Sequence, residues 1–83
     1  MRLPTVHING TGQRMLIEGY EKAWWAIREA ENVLRGIEFN PRDYYVDSPD
    51  AWPEAVKEID ERFAMLSKIR KDIETILESI REV

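Results

Sequence analysis

Apolar residues recur at intervals of four and three along two stretches of the chain. In the first, Leu16, Tyr20, Ala23, Ile27, Ala30 and Leu34 follow one another in this alternation. In the second, Val56, Ile59, Phe63, Leu66, Arg70, Ile73, Leu77 and Ile80 do the same, with one cation in the row. Such heptad-like spacing puts each set on one stripe of an α-helix and favours long helices packed along their length. The pattern therefore predicts one helix over 12–35 and another over 53–82. Thr11 is the expected N-cap of the first helix, and Gly36 its stop. Asp50 is the expected N-cap of the second, with Pro53 in the first turn, where its missing N–H costs nothing. Glu18 and Lys22 are spaced to form a supporting i,i+4 pair.

The intervening residues, 36–52, break helix repeatedly at Gly36, Asn40-Pro41 and Asp47-Ser48-Pro49, and Pro53 follows directly. A connection this long is either functional or disordered. Phe39, Tyr44, Tyr45 and Trp52 argue for an ordered loop packed on something. At the other end, Val6 and Ile8 alternate with Thr5, His7 and Asn9, which reads as a short extended arm over 1–10. Pro4 confines that arm to an edge, and Asn9-Gly10 marks a turn.

The expected fold is all-α: two long antiparallel helices forming a hairpin, one domain over 1–83, with the extended N-terminal segment attached. A hairpin alone does not exhaust the apolar positions. Ile69, Ile76 and Val83 form a second row on helix 2, and Met15, Trp24 and Trp25 widen the apolar surface of helix 1. Gly19, Ala23, Ala26 and Ala30 would let another helix come close. One partner helix cannot cover two rows, so assembly of hairpins into an oligomeric helical bundle is expected.

Size points the same way. A chain of 83 residues builds a marginal core unless disulfides, a metal or self-association assist. With no cysteine and one histidine, disulfides are excluded, a zinc site is not expected, and a homo-oligomer remains. The net charge of −4 with interleaved signs argues against binding a nucleic acid polymer, which needs a basic footprint. It leaves room for a small anion held by a few local donors. No stretch is apolar and long enough to span a membrane. Met1–Thr5 carries one positive charge and no apolar run, unlike a signal peptide, so a cytoplasmic protein is expected. No cofactor or metal is called for.

Two polar segments carry candidate chemistry. His7-Ile8-Asn9-Gly10-Thr11-Gly12 ends at a helix start, where free N–H groups and the helix dipole favour an anion. Its glycines allow close approach to the backbone. His7, Asn9, Gly10 and Thr11 are the candidate phosphate or ribose contacts. Arg14, in the first turn, is locally unfavourable unless an anion sits nearby. The simpler reading is a turn followed by a Thr cap. In the second segment, Asn40-Pro41-Arg42-Asp43-Tyr44-Tyr45, Arg42 offers a planar fork for phosphate or carboxylate. Tyr44 or Tyr45 can stack a base. The simpler reading is one tyrosine anchoring the loop and Arg42 paired with Asp43 or a nearby glutamate. Arg70 must pair, reach solvent or meet a ligand, with Glu74 the expected partner. No nucleophile–base pair is discernible, so no catalytic residue is assigned. The two segments fall at opposite ends of helix 1, roughly 36 Å apart. A joint site would most naturally form between subunits.

His7-Ile8-Asn9-Gly10-Thr11 and Arg42-Asp43-Tyr44-Tyr45 resemble a pattern found in small phage-encoded helical proteins. The resemblance covers most of the chain in layout and is specific over these nine residues. It implies a viral origin and an accessory role rather than a virion part, and it supplies no activity. The expected function is a phage accessory protein that sequesters a small phosphate-bearing nucleotide immune signal in pockets between subunits, in the host cytoplasm. The alternative is a protein-interaction module that inhibits a host or defence protein through its helical surface. A third option, weakened by the lack of a partner group, is a nucleotide-processing enzyme with His7 as general acid or base.

Overall fold

The computed structural model describes residues 1–6 and 12–82. The chain forms α1 (Gln13–Arg35), a single 3₁₀ turn (Pro41–Asp43) and α2 (Ala51–Arg81). No strand occurs among the described residues, and residues 1–6 carry no regular secondary structure. The rest of the expected arm, with His7, Asn9 and Gly10, and the expected cap Thr11 lie outside the described residues.

α1 and α2 pack antiparallel. The Gln13 side chain at the start of α1 donates to the Ile80 carbonyl near the end of α2, at 2.9 Å. At the far end the Arg35 guanidinium lies over the Phe63 ring, 5.6 Å from its centroid. None of the helices among the described residues is long and apolar enough to cross a membrane.

The N-cap of α1 is Gly12, not Thr11. Gly12 has extended backbone, and its carbonyl accepts the first helical bond, from Leu16 N–H at 3.1 Å. In the first turn, Arg14 meets Glu18 at 3.0 Å. Glu18 thus pairs backward rather than with Lys22, and it supplies the anion that Arg14 requires there. α2 does begin after Asp50, whose side chain makes no capping bond.

The seam of α2 is as expected, with Ile73, Leu77 and Ile80 buried and Val56, Ile59, Phe63, Leu66 and Arg70 half-buried. The expected seam of α1 is shifted rather than replaced: Leu16, Tyr20, Ala23, Ile27 and Leu34 are half-buried. The inward row is Gln13, Ile17, Tyr20, Trp24, Ile27, Glu31 and Leu34, and Ala30 is exposed. Both rows satisfy the same alternation of three and four. The observed one half-buries the large side chains of Ile17 and Trp24, where the alternative offers the smaller Ala23 and Ala30, so it removes more apolar area from water. Gly19, Ala26 and Ala30 consequently face outward.

Ile73, Leu77 and Ile80 gather at the open end of the hairpin, beside the start of α1. The molecule measures 61 × 22 × 17 Å with a radius of gyration of 18.5 Å. A single-domain globule of this length has a radius of about 12 Å.

Candidate functional site

Three features stand out on this frame: an ion cluster at mid-hairpin, a tryptophan-lined cleft beside it, and the aromatic loop that joins the helices.

The ion cluster forms where the two charged seam residues meet. Glu31 is 2% exposed. Its carboxylate accepts from Arg70 Nε at 2.6 Å and Nη2 at 3.5 Å. Arg70 also donates to Glu74 at 3.2 Å, and Glu74 accepts from the Trp24 indole at 2.9 Å. Arg28 completes the group, 3.9 Å from Glu31. Every buried side-chain polar atom among the described residues has a partner, which is the condition under which a buried charge is tolerated. The expected Arg70–Glu74 pair is therefore half of the arrangement; the cross-helix partner is Glu31. Sequence reasoning phased α1 by its alanines and so placed Glu31 outside the seam. The available signal was that Glu31 and Arg70 are opposite charges that both occupy seam positions once α1 is phased on Trp24.

This cluster fixes the register of the hairpin. Sliding α2 by one heptad would set Glu31 against Phe63 or Leu77 and leave a carboxylate bare in an apolar seam, which is strongly unfavourable. The hydrogen bonds from Arg70 hold the Glu31 carboxyl below its ordinary value against the opposing effect of burial; Arg28 and Arg35 add to the lowering. The native group therefore titrates at lower pH than the unfolded one. Its stabilisation is complete above the usual carboxyl value of 4.5 and is lost as pH falls through the depressed native value. Urea midpoints of the wild type and Glu31→Gln, measured from about pH 7 to about pH 2, should differ most at neutral pH and converge in acid.

The cleft is lined by Glu21, Trp24, Trp25, Glu74, Leu77 and Arg81, among others, with a volume of about 310 Å³. Trp24 and Trp25 meet edge to face, their centroids 4.9 Å apart, and Trp25 is 65% exposed. Glu21 pairs with Arg81 at 3.3 Å. The cleft lining holds Glu21, Glu74 and Glu78 against Arg81, a charge balance that disfavours phosphate.

The joining loop is ordered by local bonds and by its rings. Asn40 Oδ1 accepts from Arg42 N–H at 3.0 Å, a side-chain cap on the turn that Pro41 starts. The Phe39, Tyr44 and Trp52 rings cluster with centroid separations of 5.6, 4.6 and 5.9 Å. Tyr44 is thus the anchor, half-buried, while Tyr45 is exposed. Among the described residues the Arg42 side chain has no ion pair or hydrogen bond, with Asp43 or any other group. Of the sequence-predicted site residues, Arg42 and Tyr45 are each exposed on this loop. The loop lies beyond the C-terminal end of α1, whose 23 residues span about 35 Å. That length separates it from the helix start that follows Thr11.

Comparison of the chain with family models, with curated proteins and with solved structures gives no match.

Proposed function

We propose that the protein is an oligomeric binding protein of phage origin that sequesters a small phosphate-bearing nucleotide signal of host defence between its subunits. The observation that carries this reading is the joining loop. A capped turn and a three-ring cluster hold it in place, and it exposes a guanidinium without a partner among the described residues and the phenol ring of Tyr45. A guanidinium on an ordered turn can bind phosphate in bidentate fashion, and an exposed phenol ring on the same loop provides a stacking surface for a base. Holding the donor still in advance reduces the ordering cost of binding. His7, Asn9, Gly10 and Thr11 are the proposed complement, brought from another subunit because one helix length divides the loop from the start of α1. Sequestration needs no catalytic base, in keeping with the single histidine.

A ligand bound only by the native state raises stability by mass action. A panel of cyclic and linear nucleotides should therefore contain at least one that raises the melting temperature. At a ligand concentration a hundredfold above Kd the gain is about 2.7 kcal/mol. The ligand should be recovered unchanged by mass spectrometry after denaturation. Arg42→Ala should abolish the shift while leaving the helical circular dichroism intact. A shift that survives Arg42→Ala in full removes the loop from the site, and recovery of an altered nucleotide replaces sequestration with catalysis.

The second reading, a module that covers a host or defence protein, draws on Trp25. A 65%-exposed indole at the edge of a carboxylate-rimmed cleft is a natural anchor for a basic partner surface. A chain that ignores every nucleotide and captures one host protein through Trp25 would favour it.

A further inference from the structure

The hairpin leaves one continuous apolar face. In α1, Glu21 and Trp25 lie on one flank of the inward row, and Ala23 and Ala30 on the other. In α2, Glu74 and Glu78 lie on one flank, and Ile69 and Ile76 on the other. Glu21, Trp25, Glu74 and Glu78 line one cleft, so the opposite flanks share the opposite side of the hairpin. That side carries Leu16, Gly19, Ala23, Ala26, Ala30 and Val33 of α1, with Met65, Ile69 and Ile76 of α2. Met15, Val33 and Met65 are each 60% exposed or more, and Ile69 is 48% exposed. The total accessible surface is 6528 Å², where a folded monomer of this mass exposes about 5200 Å². The excess of about 1300 Å² is larger than the roughly 800 Å² that each partner gives to a standard interface.

We infer that this face pairs with the same face of a second copy, α1 running antiparallel to α1. The sequence of the face is self-complementary in that orientation. With two α1 helices crossed about their midpoints, Gly19 lies opposite Ala30 of the second copy, Ala23 opposite Ala26, and Leu16 opposite Val33. Small meets small in the middle and large meets large at the ends. Beside this row Lys22 and Glu29 flank the outer edge, and in the same register each Lys22 faces Glu29 of the second copy. Both are exposed, and neither has an ion pair among the described residues; Glu18, the one acid placed to engage Lys22 within α1, is taken by Arg14. Parallel pairing would instead put the two Lys22–Glu29 flanks on opposite sides of the seam, leaving neither residue an opposite charge across it. A β-carbon built at Gly19 meets nothing within 4 Å, so the hairpin itself gains nothing from a glycine there, although glycine weakens a helix interior. Close approach of another helix is what it permits. The pair is isologous, each copy using the same patch. It also sets the Arg42 loop of one copy beside the α1 start of the other.

This inference deepens the proposed function by naming the face and register of assembly. It rests on the self-association in that reading and is independent of the ligand. Because the chain has no cysteine, introduced thiols report cleanly. Gly19→Cys and Ala30→Cys proteins, mixed and oxidised, should give the mixed disulfide dimer, with little disulfide in either protein alone. Lys71→Cys, on the outward side of α2, should stay uncrosslinked. In sedimentation the wild type should exceed monomer mass at tens of micromolar. Ala26→Glu should weaken association at least tenfold, since it sets carboxylates in the interface, with helical content unchanged. Monomeric wild type, homodisulfides in place of mixed ones, or assembly unaffected by Ala26→Glu would each overturn the inference. A nucleotide shift absent from a protein that gives the mixed disulfide would remove the ligand reading alone.

Discussion

Leu77→Ala is expected to destabilise the protein by about 2–5 kcal/mol, the range for deleting a large aliphatic side chain from a packed site. For a chain of this length that is a fall in melting temperature of roughly 10–30 °C. Leu77 is 5% exposed and is one of three buried apolar residues among those described, with Ile73 and Ile80. All three come from the last three turns of α2 and close against the start of α1. Losing one removes a large share of the interior and leaves a gap that two rigid helices cannot collapse to fill. Ile69→Ala provides the contrast. Ile69 is half-exposed within the subunit, so its loss should be felt only through assembly. A melt at several protein concentrations separates the two: the Leu77→Ala deficit persists at every concentration, and the Ile69→Ala deficit shrinks on dilution. A Leu77→Ala protein that melts with the wild type would mean that the interior lies elsewhere.

Arg70→Met is the second large effect. The substitution keeps much of the aliphatic stem and removes the guanidinium, leaving Glu31 almost fully enclosed without its principal donors. Breaking a buried pair by removing one member is far more damaging than removing both, because a bare charge remains. The expected order is therefore wild type, then Glu31→Leu/Arg70→Met, with Arg70→Met last. The double variant should recover most of the loss at neutral pH, giving a large coupling energy in the cycle. At low pH, where the carboxyl of Glu31 protonates, Arg70→Met should also recover relative to wild type. Equal, additive losses from the two single substitutions would show that the cluster is a surface pair, of little worth to folding. The double variant tests the register argument as well. Without charges in the seam, a heptad slip loses its strongest penalty, and thiols placed across the hairpin at Gln13 and Ile80 should crosslink less completely.

The two predictions separate what the residues contribute. Ile73, Leu77 and Ile80 supply burial, which is indifferent to register beyond filling space. Glu31, Arg70, Glu74 and Trp24 supply a constraint that one alignment alone satisfies. An exposed pair such as Lys68–Asp72, 3.2 Å apart, adds little to either.

The candidate site was partly legible in the chain itself. The density of rings over residues 39–52, together with Asn40-Pro41, was enough to expect an ordered loop bearing Arg42. Which tyrosine turns inward was not, since Tyr44 and Tyr45 are neighbours of identical chemistry. The 3₁₀ turn decides it by aiming Tyr44 at Phe39 and Trp52. The expected pairing of Arg42 with a carboxylate also depended on distances that no sequence spacing encodes.

The two helices, their ends near Gly36 and Asp50, and the inward row of α2 follow from local chemistry, because periodicity, breakers and caps act within a few residues of one another. The inward face of α1 does not. Two rows with the same three-and-four alternation compete for it, and neither local propensity nor spacing ranks them. The choice falls to what stands opposite. Only the row of Ile17, Trp24 and Glu31 both buries large side chains against α2 and gives Arg70 a carboxylate, and that balance exists only once the helices are side by side.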